Sequence, residues 1–181
     1  MSATFSDGLA PNVLASFMPA LSRVRMLVLD VDGVLTDGRL YYGARGEMLK
    51  AFNVKDGHGI KQVAAAGITV AIISGRKSTI VARRARELGI RHVNQGVTDK
   101  LAALTRLAKS RSLPLEHCAC VGDDTPDAPM LGAAGLAIAV ADAHRDALAV
   151  ADMVTTRAGG CGAVREVCDW LLDARRLRPP A

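Results

Sequence analysis

The stretch Leu27–Gly38, LVLDVDGVLTDG, decides the fold. Its first half is an apolar run with the length and branching of a buried strand. The run ends in two acids one residue apart, Asp30 and Asp32, and then a glycine, Gly33. Burying unpaired carboxylates is costly, so neither acid serves the interior of a core strand. Either the pair stands at a strand end and does chemistry, or it is an acidic turn.

Working outward, short apolar runs alternate with helical patterns. Strands are expected at 26–31, 69–74, 92–94, 118–122, 137–140 and 153–155, and helices at 59–66, 78–88, 100–110, 126–134, 145–150 and 162–177. Strands separated by helices of this length predict an α/β fold, a Rossmann-like parallel sheet with helices on both faces. Such sheets bind ligands at the carboxyl ends of their strands. Asp30 with Asp32, Ser74 with Gly75, and Asp123 with Asp124 all fall at such ends, and Lys100 opens a helix that can reach the same edge. Chance placement would scatter these residues over both ends of the sheet.

One segment interrupts the alternation. GRLYYGARGEMLKAFNV, residues 38–54, alternates in polarity on either side of a turn between Gly43 and Gly46, which reads as a β-hairpin. It is expected to be a flap over the site or an oligomer contact, since an exposed ribbon carrying Tyr41, Tyr42, Met48 and Phe52 needs a partner. The chain is expected to form a single domain over residues 25–177. Residues 1–24 form an N-terminal extension with a short amphipathic helix from Val13 to Val24, interrupted or bent at Pro19.

Composition removes several classes of function. Half of the 181 residues are hydrophobic and mean hydropathy is +0.20, which argues against disorder. No apolar stretch approaches the roughly 20 residues that cross a membrane, and the first 24 residues lack the pattern of a signal peptide. Four cysteines without a CxxC pair fit reduced thiols in a cytoplasmic protein better than a zinc site or a disulfide framework. The net charge of +5 suits an anionic substrate. With aromatics at only 3%, nucleic acid is not expected as a partner.

At a strand end the two acids have a use. Both carboxylates can face one reaction centre, one attacking as a nucleophile while the other handles the leaving group's proton. An aspartate is already ionised at neutral pH and needs no activating base. Gly33 lets the backbone turn tightly or approach an anion closely. Attack on phosphorus would give an aspartyl-phosphate, and clustered carboxylates beside a phosphate require a cation. Asp123 and Asp124 add hard oxygen donors of the kind magnesium takes. Ser74 can donate a hydrogen bond to the transferring group, and Lys100 a positive charge.

DVDGVLT, ISGR, Lys100 and GDDTPD, in this order, resemble the four motifs of the haloacid dehalogenase superfamily. The resemblance implies Asp30 as nucleophile and Asp32 as general acid and then base. It implies magnesium held by the Asp30 carboxylate, the Asp32 backbone carbonyl and Asp123. Asp124 and Asp127 would support the metal shell or Lys100. The acid at Asp32 argues against the dehalogenase members themselves. Neither the interval from Asp32 to Ser74 nor that from Ser74 to Lys100 has room for a cap domain.

FNVKDGHGIK, VAIISGR, ELGI, QGVTDK, VGDD and AGGCGAVREVCDWLL further resemble one capless group, the 3-deoxy-D-manno-octulosonate 8-phosphate phosphatases. That resemblance implies a phosphorylated acidic sugar as substrate, a role in lipopolysaccharide biosynthesis, and a homotetramer whose neighbours cover each active site. Lys55 and Asp56 would lie near the substrate, and Gly33, Gly75 and Arg76 would complete the surroundings. The group usually has arginine where this chain has Cys161, with Arg157 and Arg165 nearby as substitutes; Arg165 serves equally well as a structural residue of the last helix. His58 is as readily a surface residue as a pocket residue. A phosphatase for a 9-phosphorylated nonulosonate shares every motif. A polynucleotide end phosphatase and a non-catalytic interaction module are the remaining alternatives.

Overall fold

A computed structural model describes residues 11–176. Six strands, β1 (Met26–Leu29), β4 (Thr69–Ser74), β5 (His92–Gln95), β6 (Cys118–Gly122), β7 (Leu136–Ala139) and β8 (Met153–Val154), form one sheet in the order β5-β4-β1-β6-β7-β8. Every pairing within it is parallel. The remaining strands, β2 (Tyr41–Gly43) and β3 (Gly46–Leu49), pair only with each other, as an antiparallel hairpin in which Gly43 faces Gly46.

The central strand shows how the two layers are built. All of β1 is buried, and alternate residues serve opposite faces. Leu27 and Leu29 join the core formed with α1 (Pro11–Arg23), α2 (Val54–Ala65), α3 (Thr79–Leu88) and α7 (Ala163–Arg176). Met26 and Val28 join the core formed with α4 (Lys100–Ser110), α5 (Ala128–Ala133) and α6 (Arg145–Leu148). A strand buried on both sides reads as a continuous apolar run, which is why LVL stands out in the sequence.

Helix boundaries follow local chemistry. Ser78 caps α3 by accepting the Val81 N–H, and Gly89 ends it in the left-handed conformation at φ 75°. Asp99 caps α4 by accepting the Ala102 N–H, so that Lys100 begins the helix. α2 starts five residues before the expected Gly59, capped by Asn53. Its early glycines have a packing reason. A Cβ on Gly57 would strike the Arg84 guanidinium and lie 3.1 Å from Leu88, and one on Gly59 would lie 2.9 Å from the Cys168 Cβ.

The N-terminal helix is less separate than an extension. It runs unbroken through Pro19, and Leu14 and Leu21 are buried in the core shared with α7. The expected end of the last helix at Leu177 lies outside the described residues. Among the described residues no helix is long and apolar enough to cross a membrane. The cysteines are free thiols, three of them buried, while Cys161 is exposed.

Candidate active site

Three adjacent strands deliver the chemistry. Ser74 is the last residue of β4, Asp30 follows β1 and Asp123 follows β6. β1 lies where the strand order reverses, with β4 and β5 on one side and β6 to β8 on the other. The carboxyl edge at such a switch point is where open α/β sheets bind ligands. A cleft of about 220 Å³ opens there, lined by Asp30, Asp32, Ser74, Gly75, Arg76, Lys100, Asp123, Asp124, Pro126 and Asp127.

At its floor lies a buried ionic group. The Lys100 ammonium, carried on the first turn of α4, donates to Asp30 Oδ1 at 2.8 Å and to Asp127 Oδ1 at 2.6 Å. Asp127 uses its other oxygen to accept the backbone N–H groups of Asp123 and Asp124, at 3.1 and 3.2 Å. One carboxylate thus fixes both the lysine and the loop carrying Asp123. Asp124, more exposed, completes a capping box with Asp127.

The group is short of positive charge. Carboxylate oxygens of Asp30, Asp123 and Asp127 lie within 4.8 Å of one another, and only one lysine is buried among them. Burial, with Asp127 adding to it, raises the Asp30 carboxyl to about 6 against the pull of Lys100. Burial and the charges of Asp30 and Asp127 push Asp123 up to about 8. For Lys100 burial acts downward, but the two aspartates outweigh it and hold the ammonium above its usual value.

These residues fit a divalent cation. Asp123 Oδ1 is buried without a hydrogen-bond partner, and such an oxygen beside two other acids suits a metal ligand better than a structural carboxylate. The donors are hard oxygens, the set magnesium takes. Gly33 lets the loop after β1 close over Asp123: its φ is 97°, and a Cβ there would overlap the Asp123 carboxylate.

Asp32 stands at the rim and is held differently. The Lys50 ammonium bonds its Oδ1, and Arg76 Nε lies 3.5 Å from its Oδ2. Lys50 is also 3.0 Å from Glu47 Oε1, and Glu47 Oε2 accepts the Ser78 hydroxyl. Arg76 donates to the Tyr42 hydroxyl at 3.0 Å. The hairpin therefore reaches the cleft of its own chain. Sequence reasoning missed Lys50 and Glu47; their i, i+3 spacing at the end of β3 was the available signal.

Lys55 and Asp56 do not line this cleft. Lys55 is exposed on the first turn of α2. Asp56 is buried, and its Oδ1 accepts the Arg165 N–H at 2.7 Å at the head of α7. Burial raises its carboxyl to about 6, against the hydrogen bonds from Arg165 and Gly162. His58 is exposed. The Arg165 side chain is engaged with Asp169, at 2.8 and 2.9 Å, as a structural residue of α7. The glycines before Cys161 pack on the loop after β1, where the Gly160 N–H donates to Val34 O at 2.9 Å.

A buried lysine bonded to an aspartate at a strand end, beside carboxylate oxygens suited to a divalent cation, is the arrangement of the aspartate-based phosphotransferases and phosphohydrolases of the haloacid dehalogenase class. Residues 89–166 match the family model described as haloacid dehalogenase-like hydrolase.

The 3-deoxy-D-manno-octulosonate 8-phosphate phosphatase of Escherichia coli K12 is 50% identical over 163 residues, covering 90% of this chain and 87% of the relative. A crystal structure of the Moraxella catarrhalis enzyme of that name, in complex with magnesium ion, phosphate ion and KDO, superposes with a TM-score of 0.87 at 44% identity, over 89% of this chain and 92% of that one. The cobalt-bound phosphatase from Haemophilus influenzae gives a TM-score of 0.85 at 43% identity, over 87% and 92%. The chain belongs to the family of 3-deoxy-D-manno-octulosonate 8-phosphate phosphatases.

Proposed function

We propose that this protein is a magnesium-dependent phosphomonoesterase that hydrolyses 3-deoxy-D-manno-octulosonate 8-phosphate to the free sugar acid and phosphate. The observation that carries the reading is the Lys100 ammonium shared between Asp30 and Asp127 beside the unpartnered Asp123 oxygen. Family membership and the ligands named for the Moraxella enzyme supply the substrate.

Asp30 acts as nucleophile, its approach line fixed by Lys100. Its oxygen bonds to phosphorus as the ester bond breaks, and the departing sugar oxygen takes a proton from Asp32. Asp32 then removes a proton from water, whose oxygen displaces Asp30 and releases phosphate. Ser74 and Lys100 donate to the phosphoryl oxygens. Magnesium, held by Asp30, the Asp32 carbonyl and Asp123, would offset the charge gathered on the carboxylates and the phosphoryl group. Gly33, Gly75, Arg76, Asp124 and Asp127 frame this centre, while Asp56 supports the fold around it by fixing the head of α7.

The protein acts in the cytoplasm as a homotetramer. Its free thiols agree with a reducing compartment. Tyr42 and Met48 of the hairpin are 60 and 64% exposed, and Val54 at the start of α2 is 81% exposed, an apolar surface that a second copy would cover.

The test is phosphate release from 3-deoxy-D-manno-octulosonate 8-phosphate with magnesium, with EDTA, and with Asp30→Asn, beside a 9-phosphorylated nonulosonate and a 3′-phosphorylated oligonucleotide. Preference for the octulosonate, lost in both controls, is expected. Preference for the nonulosonate would move the substrate and leave the mechanism, with Cys161 as the residue to revert to arginine. Light scattering would report the tetramer.

A further inference from the structure

The hairpin inverts the usual rule of burial. Met48 and Leu49 are 64 and 42% exposed, yet the side chain of the next residue, Lys50, is 1% exposed. Lysine is among the residues least often buried unless paired, and immobilising its long side chain is costly. Here it is paired twice, to Asp32 and to Glu47. Burial acts to lower its pKa, but the bonds to those two carboxylates dominate and raise it.

The two acids after β1 are consequently held by different parts of the molecule. Asp30 is gripped from the domain core by Lys100 on α4. Asp32 is gripped from the hairpin through Lys50 on one oxygen, and from the loop after β4 through the more exposed Arg76 on the other. Glu47 ties the same lysine to Ser78, the cap of α3, so the ribbon spans from the loop after β1 to the loop after β4. An isolated two-stranded ribbon is marginal in water. This one is fastened to the domain by charged contacts at the mouth of the cleft.

We propose that Lys50 is a positioning residue for the proton-transfer step: it holds the Asp32 carboxyl group, which carries the transferred proton, where it can reach the departing oxygen while Asp30 attacks phosphorus. The inference rests on the phosphatase reading above. Lys50 acts through Asp32, and the bonds it influences are those of that first step: the Asp30 oxygen–phosphorus bond forms, the ester bond breaks with its electron pair on the leaving oxygen, and that oxygen receives the Asp32 proton.

A misplaced proton donor matters in proportion to how much the leaving group needs a proton. The experiment is therefore kcat/KM for a series of phosphate monoesters, from p-nitrophenyl phosphate through phenyl phosphate to glycerol phosphate, in the wild type, Lys50→Met and Lys50→Arg. General acid assistance is typically worth on the order of 10²–10⁴-fold. Lys50→Met should lose about 100-fold on glycerol phosphate and less than about 5-fold on p-nitrophenyl phosphate, steepening the dependence on leaving-group pKa. Lys50→Arg should restore most of the loss.

Glu47→Gln, which loosens the lysine from its other side, should steepen the same plot less and guards against a failure of Lys50→Met to fold. An equal loss on every ester, as a merely structural lysine would give, or no loss at all, would overturn the inference and leave the phosphatase reading standing. A wild type that releases no phosphate from any ester would overturn that reading, and this inference with it.

Discussion

Gly33 and Asp123 occupy adjoining space, and a Cβ on the first would overlap the carboxylate of the second. The loop after β1 can lie over the loop after β6 only because position 33 has no side chain and adopts a φ of 97°. Gly33→Ala therefore carries two penalties. Forcing alanine into this backbone costs about 1–2 kcal/mol. Asp123 must also move, which should weaken magnesium binding at least tenfold, on the scale of lost ligand orientation. A magnesium titration monitored by calorimetry, beside a thermal melt in EDTA, separates the two; unchanged magnesium affinity would show that the contact does not position the ligand.

Asp123→Asn tests the charge balance of the buried group. Three acids share one buried lysine, so removing one of them relieves repulsion in the metal-free protein. The expected result is that Asp123→Asn in EDTA is at least as stable as the wild type. Magnesium should raise the melting temperature of the wild type, because a ligand that binds only the folded state stabilises it, and should leave the variant unmoved. Urea melts with and without magnesium give both quantities. A variant that magnesium still stabilises would place the ion elsewhere.

Asp56 gives the protein a pH dependence away from the cleft. Its carboxyl is raised from 3.8 to about 6, chiefly by burial, with Arg157 and Arg165 as the charges opposing the shift. A raised acid pKa means that the folded state binds the proton more tightly. Stability then falls as pH rises between about 4 and about 6, and levels off above. Asp56→Asn removes this dependence. Its stability relative to the wild type should improve by about 1 kcal/mol between pH 5 and pH 7, whatever the pH-independent cost of the amide. Equilibrium unfolding at the two pH values measures the change, and a difference that stays constant would show that Asp56 titrates normally.

The sheet and the floor of the cleft were legible because their signals are local. LVL must be a strand buried on both faces, and acids placed just beyond such a run must stand at its end. Asp30, Ser74 and Asp123 follow from their places at strand ends, and Lys100 from its place at the head of the helix after β5. Lys50 did not, because a lysine following an exposed ribbon is expected to point outward, whereas its side chain is 1% exposed against Asp32 and Glu47. Asp56 was expected near the substrate because of its neighbours in sequence. Its partner is the head of a helix 109 residues further along the chain, a relation that no local pattern contains.

The start of α2 was illegible for a related reason, and it carries the last prediction. Gly57 and Gly59 weaken a helix by roughly 1 kcal/mol each relative to alanine, so propensity delays the helix, whereas the fold begins it at Val54. The two glycines should answer substitution differently. A Cβ on Gly57 meets the far end of the Arg84 side chain, which can swing away, and lies 3.1 Å from Leu88. The propensity gain then largely offsets the adjustment, and Gly57→Ala should change stability by less than about 1 kcal/mol. A Cβ on Gly59 lies 2.9 Å from the Cys168 Cβ, which the backbone of α7 sets, and 3.0 Å from the Arg165 Cδ, whose guanidinium is held by Asp169. Overpacking there costs about 1–3 kcal/mol, so Gly59→Ala should be destabilising despite its better propensity. Urea denaturation of the two variants decides it. If Gly59→Ala proved the more stable of the pair, α2 and α7 would not be packed as closely as these glycines allow.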